Sequence, residues 1–474
     1  MGSKNISFDN IPSSIRKPGA YFEFNTTLAV NSLPANVQPA LIIAQRLAAG
    51  TVAALVPTRV YSSNDAAVYF GRGSLAHRMV RAALKANPYM DLTVCALDDG
   101  AGVAASGTFT FVNTATGSGV VNVYIGNDLV QMAVASGDLI ATLATNLAAA
   151  INAIADLPVT AAANLGVVTV TARNKGVISN QIDLEATITA GIGTTIAAVA
   201  MANGTVDPTI QSALDKVYAS QYSIIITPYN DATALGTLKT HLDAVSGPIE
   251  QRPGVGYFAT DTALATAITL ATTTLNSGRL VGAFLRGTRS PSYEIAAAYA
   301  AVRASESDPA RPLNYLTLAG IAAPVEAQRL TRAEQESALA NGVAPLQVGP
   351  GQTVQIVRAI TTYTKNAAAV PDISLLDVTT IDTLDYTRRA VRERLLLRFP
   401  RVKLSAKTPA RVRTEVLDIL NRLERLEILE NVAANYPGVI VERDEQDPNR
   451  LDIRIPADVV NGLHIIAGRI DLIL

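Results

Sequence analysis

Residues 462–474, GLHIIAGRIDLIL, form a run of strand-forming apolar residues that finishes with the chain itself. A strand needs a neighbour for its main-chain donors and acceptors, and here no turn follows to bring one alongside. The start of the chain mirrors this. Phe8 to Asn25 reads FDNIPSSIRKPGAYFEFN, polar and broken by Pro12 and Pro18 until Phe22 and Phe24 alternate with Tyr21, Glu23 and Asn25. Each end reads as an arm closing in a strand. Two readings stay open: the arms fold back on their own sheet, or they are donated to a neighbouring copy. In the second, main-chain hydrogen bonds supply affinity and alternate side chains set register.

The length, 474 residues, is enough for two to four domains at roughly 150 residues each. A formal charge of -1, from 39 basic and 40 acidic residues, argues against nucleic-acid or anionic-membrane binding through net charge. The single cysteine, Cys95, sits in the apolar run YMDLTVCAL and reads as a buried thiol in a reducing compartment. Neither a secretory leader nor a bilayer-spanning apolar stretch is visible, so a protein folded in a cytoplasm is expected. The acceptor-like triplets at Asn5, Asn25 and Asn203 then read as chance matches.

From Pro39 to Leu97 an apolar run, ALIIAQ, a helical stretch opening near Ser63 and a second apolar run make a β-α-β beginning. The same grammar resumes after Asp207. Strands at YSIIIT, GVGYFAT and RLVGAFLRG alternate with helices over 231–245, 261–276 and 291–307, for which Asn230, Thr260 and Ser290 are candidate N-caps. This predicts an α/β sheet covered by helices, a discontinuous domain over 26–99 and 205–376. Residues 100–204, rich in Gly, Ala, Thr and Val, read as an inserted β-rich domain on the surface. Its strands are VVNVYI and DLVQMAV about a Gly126-Asn127 turn, and VVTVTAR. Its one helix carries Leu139 or Ile140, Leu143, Leu147, Ile151 and Ile154 at helical spacing, with Ser136 or Asp138 as cap. The remainder, 377–474, is α+β: a helix over 380–398, a second opened by Thr408 and Pro409 with Val412, Val416, Ile419, Leu423 and Leu426 on one face, then the hairpin of GVIVER and RLDIRI.

Chemistry is hard to find. His77, His241 and His464 are far apart and lack metal-spaced partners; no Gly-Lys dipeptide builds a phosphate loop, and no GxSxG elbow opens a helix. GRGS at Gly71 to Ser74 and GVG at Gly254 to Gly256 read as turn or strand-packing glycines. Asp98, Asp99 and the acids from Glu442 to Asp447 read as solvated loop charge. Catalytic, cofactor and metal residues are therefore expected to be absent. One constellation stands out: Arg388 to Arg413 holds ten basic residues and one acidic, so it carries +9 against -10 for the rest of the chain. It lacks the interleaved aromatics of a single-strand nucleic-acid platform. An acidic protein surface fits it better, and a helix face balanced by acids within the fold is the alternative.

Over nearly its whole length the sequence resembles the tail sheath proteins of Mu-like contractile phages. The resemblance is carried by the opening FDNIPSSIRKPGAYFEFN, by ITPYNDATALGTLKTHLDA from Ile226, by DPARPLNYLTLAGI from Asp308, by RAITTYTKNAAAVPDISLLDVTTIDTLDYTRRAVRERLLLRFPR from Arg358, and by VERDEQDPNRLDIRIPADVVNGLHIIAGRIDLIL. It implies a non-enzymatic structural subunit of a virion tail, assembled in the host cytoplasm as stacked hexameric rings around a tube. Its partners would be its own copies, the tail tube protein, and baseplate and terminator proteins. Neither direct nucleic-acid contact nor membrane insertion is implied. Contraction would drive the tube through the host envelope. The sheath of a phage-tail-like particle and, from another class, an α/β ligand-binding protein or enzyme are the alternatives.

The resemblance makes 1–25 and 462–474 arms that add strands to neighbours, through Phe22, Phe24, Ile466, Ile470, Leu472 and Leu474. It makes 377–474 an inner, tube-facing domain. Tube contact then maps onto the basic stretch, with Arg388, Arg392, Arg411 and Arg413 expected to face the tube. Arg388 and Arg392 share a helix face. Arg411 and Arg413 lie in a first helical turn, where the dipole disfavours cations by about 0.3 to 1 kcal/mol.

Overall fold

The computed structural model describes residues 12, 14–22 and 33–473. Phe24 and Leu474 lie outside the described residues. The main sheet opens with β1 (Ala40–Gln45), β2 (Thr58–Val60) and, after α1 (Ser63–Phe70) and α2 (Leu75–Ala86), β3 (Leu92–Leu97). An inserted unit follows, with β4 to β10 between residues 106 and 202 and α3 (Ile140–Ala153) among them. The main unit then resumes with α4 (Gln211–Val217), β11 (Ile224–Ile226), α5 (Ala232–Val245), β12 (Val255–Thr260), α6 (Leu264–Thr269), β13 (Leu280–Phe284), α7 (Ser292–Ser305), α8 (Arg332–Ala340), β14 (Ala344–Val348) and β15 (Val354–Ile356).

The strand order is β15-β14-β13-β12-β11-β1-β3-β2. The six inner strands are parallel, and the edge strands β2 and β15 run antiparallel to their neighbours. β1, β3, β11, β12 and β13 are buried at every position, the mark of parallel strands covered on both faces. Successive residues of β12 show the two covers, since neighbours on a strand point to opposite faces. A Cβ on Gly256 would press on Leu238 and Leu242 of α5, whereas the Tyr257 ring lies 6.0 Å from that of Tyr299 on α7. GVG is thus a strand-packing motif.

Helix starts differ from the expected caps by one to three residues. Asp231, not Asn230, caps α5 by accepting from the amides of Thr233 and Ala234. α7 starts after Pro291 rather than Ser290. α6 starts after Ala263 because the Thr260 hydroxyl is engaged with Thr262 at 2.9 Å, and it runs on into a π-helical turn over Leu270–Leu275. In the inserted unit α3 follows Leu139 without a side-chain cap, because Asp138 instead accepts from the Ala135 amide at 2.8 Å.

The inserted unit has its own core. β4 (Ser106–Val112), β7 (Val159–Asn164), β8 (Val167–Ala172) and β10 (Thr195–Ala202) make one antiparallel sheet, and β5 (Gly119–Ile125), β6 (Asp128–Val134) and β9 (Leu184–Ile188) another. Phe109, Phe111, Val121, Val123, Val168 and Val170 alternate inward and meet Leu143, Leu147 and Ile151 of α3. Yet the unit is bolted to the main body. Arg78 of α2, with no exposed surface, pairs with Glu294 of α7 at 2.5 Å and with Asp128 at the β5–β6 turn. Arg81 reaches the same Asp128 at 2.8 Å. Burial disfavours the Asp128 carboxylate, but Arg78 and Arg81 outweigh it and hold its pKa below the usual range. Ile178 of the inserted unit belongs to the main core.

The C-terminal unit packs α9 (Val378–Arg398) and α10 (Thr408–Arg425) with a short α11 (Val432–Asn435) and the hairpin β16 (Ile440–Arg443) and β17 (Leu451–Arg454). Thr408 is the first helical residue of α10 and not its cap; its hydroxyl bonds the Lys403 carbonyl at 2.8 Å. Val412, Val416, Ile419 and Leu423 are buried as the spacing predicts, while Leu426, one residue past the helix, is 54% exposed.

GRGS is the α1–α2 turn. Gly71 and Gly73 have φ of 88° and 78°, Ser74 caps α2 through the His77 amide, and the Gly73 amide donates to His77 Nδ1 at 3.1 Å. That leaves His77 Nε2 to donate to Ser63 Oγ at 3.1 Å, so the buried ring is neutral. Burial lowers its pKa from 6.5 to about 4. Below pH 6.5 the unfolded chain takes up a proton that the folded chain refuses until about 4. The His77 contribution should lower stability by about 3 kcal/mol across that window and level off below it, where protonation of paired carboxylates such as Asp128 takes over. Denaturant unfolding at stepped pH should show this slope, and His77→Gln should make it shallower by the His77 share.

Candidate assembly surfaces

Both arms leave from the C-terminal unit. At the N-terminal side Leu33 packs on its core, the Tyr386 hydroxyl donates to the Pro34 carbonyl at 3.0 Å, and Arg389 reaches the Ala35 carbonyl and Asn36. On the other side Val459 bridges Leu429, and the Val460 amide donates to the Ile428 carbonyl. From Gly462 to Ile473 the tail forms no strand with any of the described residues. Ile465, Ile466, Ile470, Leu472 and Ile473 are 80 to 98% exposed. Of the N-terminal arm strand only Tyr21 and Phe22 fall within the described residues, and Phe22 is 90% exposed. Among the described residues the hairpin of β16 and β17 has two strands, with Ile440 and Ile453 more than a third exposed. Such a sheet is marginal alone and offers unpaired edges.

The basic stretch divides. Arg394, 6% exposed, holds Glu415 and Asp418 of α10 at 2.8 Å each, and Arg422 joins Asp418 at 3.0 Å. Arg413 donates from Nε to the Val439 carbonyl at 2.8 Å and from its terminal nitrogen to the Tyr436 carbonyl at 2.6 Å, fastening the hairpin to α10. Arg388 bonds Asp385 at 3.0 Å and the Ser246 carbonyl at 2.9 Å, and its burial lowers the guanidinium pKa. Arg388 and Arg413 are therefore engaged inside the fold. Arg392, Arg401, Lys403, Lys407 and Arg411 are exposed. The Arg411 guanidinium lies 5.9 Å from the centre of the Phe399 ring.

α9 joins two cores. Val378 and Ile381 near its start belong to the main core, and Tyr386, Ala390 and Val391 further along belong to the C-terminal one. Between them Arg303 of α7, 3% exposed, pairs with Asp382 at 2.5 Å, and Arg279 at the start of β13 pairs with Asp385 at 2.8 Å. A cleft of about 400 Å³ beside this joint is lined by Arg252, Asp382, Asp385, Arg388, Arg392 and Glu393. Its carboxylates at 382 and 385 already hold arginines.

The alternative enzyme reading predicts an open crevice where β1 is followed by β3 on one side and β11 on the other, the position at which open α/β sheets bind ligands. The inserted unit fills it. Gln45, at the end of β1, donates to Asp99 at 2.8 Å and to the Lys175 carbonyl at 2.7 Å. Asn174 donates to Asp99 and to the Arg46 carbonyl, and accepts from the Leu75 amide at the start of α2. Asp99 is therefore the organiser of a joint and not solvated loop charge; Asp98, 64% exposed with Arg46 at 2.7 Å, stays at the surface. About 20 Å³ of cavity remains beside Asn174, room for roughly one water. Among the described residues no His, Cys, Asp and Glu cluster could hold a metal, and no helix is long and apolar enough to cross a membrane.

Residues 203–362 match the phage tail sheath protein central domain, and 370–473 the phage tail sheath C-terminal domain. The Mu-like prophage FluMu tail sheath protein of Haemophilus influenzae is 33% identical over 488 residues, covering 99% of this chain and 100% of that protein. The crystal structure of a sheath tail protein from Desulfitobacterium hafniense superposes with a TM-score of 0.53 at 15% identity, over 94% of this chain and 97% of that one. A chain in the six-fold symmetrised cryo-EM structure of the anti-feeding prophage baseplate gives 0.51 at 12% identity, over 97% and 100%. These two likenesses concern fold alone. The chain belongs to the phage tail sheath family and is a structural subunit of a contractile tail sheath.

Breaking one partner of a buried ion pair leaves the other charge uncompensated, at about 3 to 5 kcal/mol. Asp382→Ala should therefore destabilise the chain by about that amount, and it should separate the unfolding of the C-terminal unit from that of the main sheet. Urea unfolding followed by tyrosine fluorescence and by circular dichroism would check this through the loss of coincident transitions.

Proposed function

We propose that this subunit polymerises in six-fold rings stacked around a tail tube, that its arms are strands donated to neighbouring copies, and that the sheath forms in the host cytoplasm as part of a virion tail. The observation that carries the reading is the tail beyond Val460, apolar, exposed and without a strand partner among the described residues, on a unit whose own hairpin has open edges there. The two features complete each other when repeated from copy to copy. A head-to-tail contact that does not close within one ring propagates as a helix. Main-chain pairing gives such a contact affinity, and alternation of Ile466, Ile470 and Leu472 fixes its register.

The work of contraction is then stored in the packing of the assembled lattice and released by a switch to a second packing of nearly rigid subunits, with no chemistry on this chain. The filled crevice supports that. The exposed cations Arg392, Arg401, Lys403, Lys407 and Arg411 supply a weak, repeated contact to an acidic tube, each pair worth about 0 to 1 kcal/mol and multiplied around a ring. Arg388 and Arg413, engaged inside the fold, are left out of that surface.

Two tests follow. Truncation after Asn461 should leave a folded, soluble subunit that forms no tubes by electron microscopy; tubes as abundant as those of the full chain would remove strand exchange. The double reversal Arg392→Glu with Arg411→Glu should leave folding and sheath-only polymerisation intact and abolish co-assembly on tubes, and raised salt should mimic it. Unimpaired tube binding would assign these arginines to sheath-to-sheath contacts.

A further inference from the structure

Between the last main-chain bond of the C-terminal unit, at Val460, and the exposed strand residues, the tail is held once more. Asn314 Nδ2 donates to His464 Nδ1 at 2.9 Å, and His464 Nε2 faces Asp377 Oδ1 at 3.6 Å. Asp377 is itself fixed by Arg358, through contacts of 2.8 and 2.7 Å. Gly462 lies so close to Pro312 that a Cβ there would stand 2.5 Å from the proline ring. Burial, with Arg358 nearby, lowers the His464 pKa and keeps the ring a neutral acceptor. Asn314, Pro312 and Arg358 all precede the C-terminal unit, so the root of the tail is docked on the main body. Its flanks are bare: Leu463 is 71% exposed and Ile465 80%.

The anchorage differs in kind on its two sides. Upstream, the tail is held by main-chain bonds and a bridge, at Glu430–Asp458, Leu429–Val459 and Ile428–Val460. At His464 one side-chain hydrogen bond and one long approach of the neutral ring to Asp377, at 3.6 Å, hold it. The second is the part that can open without unfolding anything else.

We propose that His464 is a latch: its seat on Asn314, Asp377 and Arg358 sets the length of free arm in the extended sheath, and its release lets out residues 461–464 as the sheath contracts. Four residues of extended chain reach about 13 Å. A donated strand can therefore stay paired while its donor moves away from the acceptor, and the subunit need not change internally. This rests on the strand-exchange reading above, and it adds where the slack in the connection is kept.

The test uses sheaths assembled from the full chain. Asn314→Cys with His464→Cys, bridged by a short bis(methanethiosulfonate) reagent that forms a reducible disulfide with each thiol and releases methanesulfinate, closes the latch covalently; Cys95 has no exposed surface and does not compete. Bridged sheaths should assemble, stay extended on heating through the temperature at which unbridged ones contract, and contract once the bridge is cleaved. His464→Gln, unable to take both seats, should contract at a lower temperature than the unmodified sheath. Bridged sheaths that contract normally, a bridged chain that cannot assemble, or an unchanged contraction temperature for His464→Gln would each overturn the latch. A chain truncated after His464 that still builds sheaths would instead sink strand exchange.

Discussion

The buried pair of Arg303 and Asp382 decides what kind of object this subunit is. α9 lies in two hydrophobic cores in succession, and a helix shared in that way pivots wherever packing is loosest. At the crossing point the guanidinium of Arg303 is 3% exposed and has a carboxylate of α9 as its partner; one turn on, Arg279 and Asp385 repeat the arrangement. An uncompensated charge there is costly enough that the two units stay together. On the opposite flank Arg78, Asp128 and Glu294 do the same for the inserted unit. Buried ion pairs thus tie the three cores to one another.

A rigid body with unsatisfied ends is a building block. The main sheet is closed on both faces and its crevice is filled, so the unit least complete in one chain is the C-terminal one. There a two-stranded hairpin sits near the departure points of both arms. Main-chain pairing suits a lattice that has to hold together while it changes shape, because strand hydrogen bonds tolerate rotation of the donor so long as the connecting chain has slack. In the proposed assembly charge, being weak and screened, suits a tube contact that is given up on contraction.

Much of this could be read in the residues. Wholly apolar runs such as ALIIAQ and the even apolar spacing of α10 gave the α/β sheet and the two closing helices, and Gly126-Asn127 marked the hairpin of the inserted unit. What local sequence could not show was which polar groups find partners far along the chain. Asn230, Thr260 and Ser290 were plausible caps, but Asp231 is the better acceptor for α5 and Thr260 turns to Thr262. Arg388 and Arg413 resemble free surface cations until the fold brings carbonyls of Ser246, Tyr436 and Val439 to them. The inserted stretch read as a separate surface domain from its Gly, Ala, Thr and Val content; nothing local showed that Asp128 and Asn174 fasten it to the main body. His464, one of three scattered histidines, carried no signal that it meets Asn314.

Hydrogen exchange over 462–473, compared between dispersed subunits and assembled sheaths, addresses the central claim most directly. Unpaired main-chain amides in the free subunit should exchange at close to unprotected rates, and the same amides should become protected on assembly, in step with those of β16 and β17. Equal, fast exchange of every tail amide in both states would contradict the account, since a donated strand pairs at least every second amide with its neighbour.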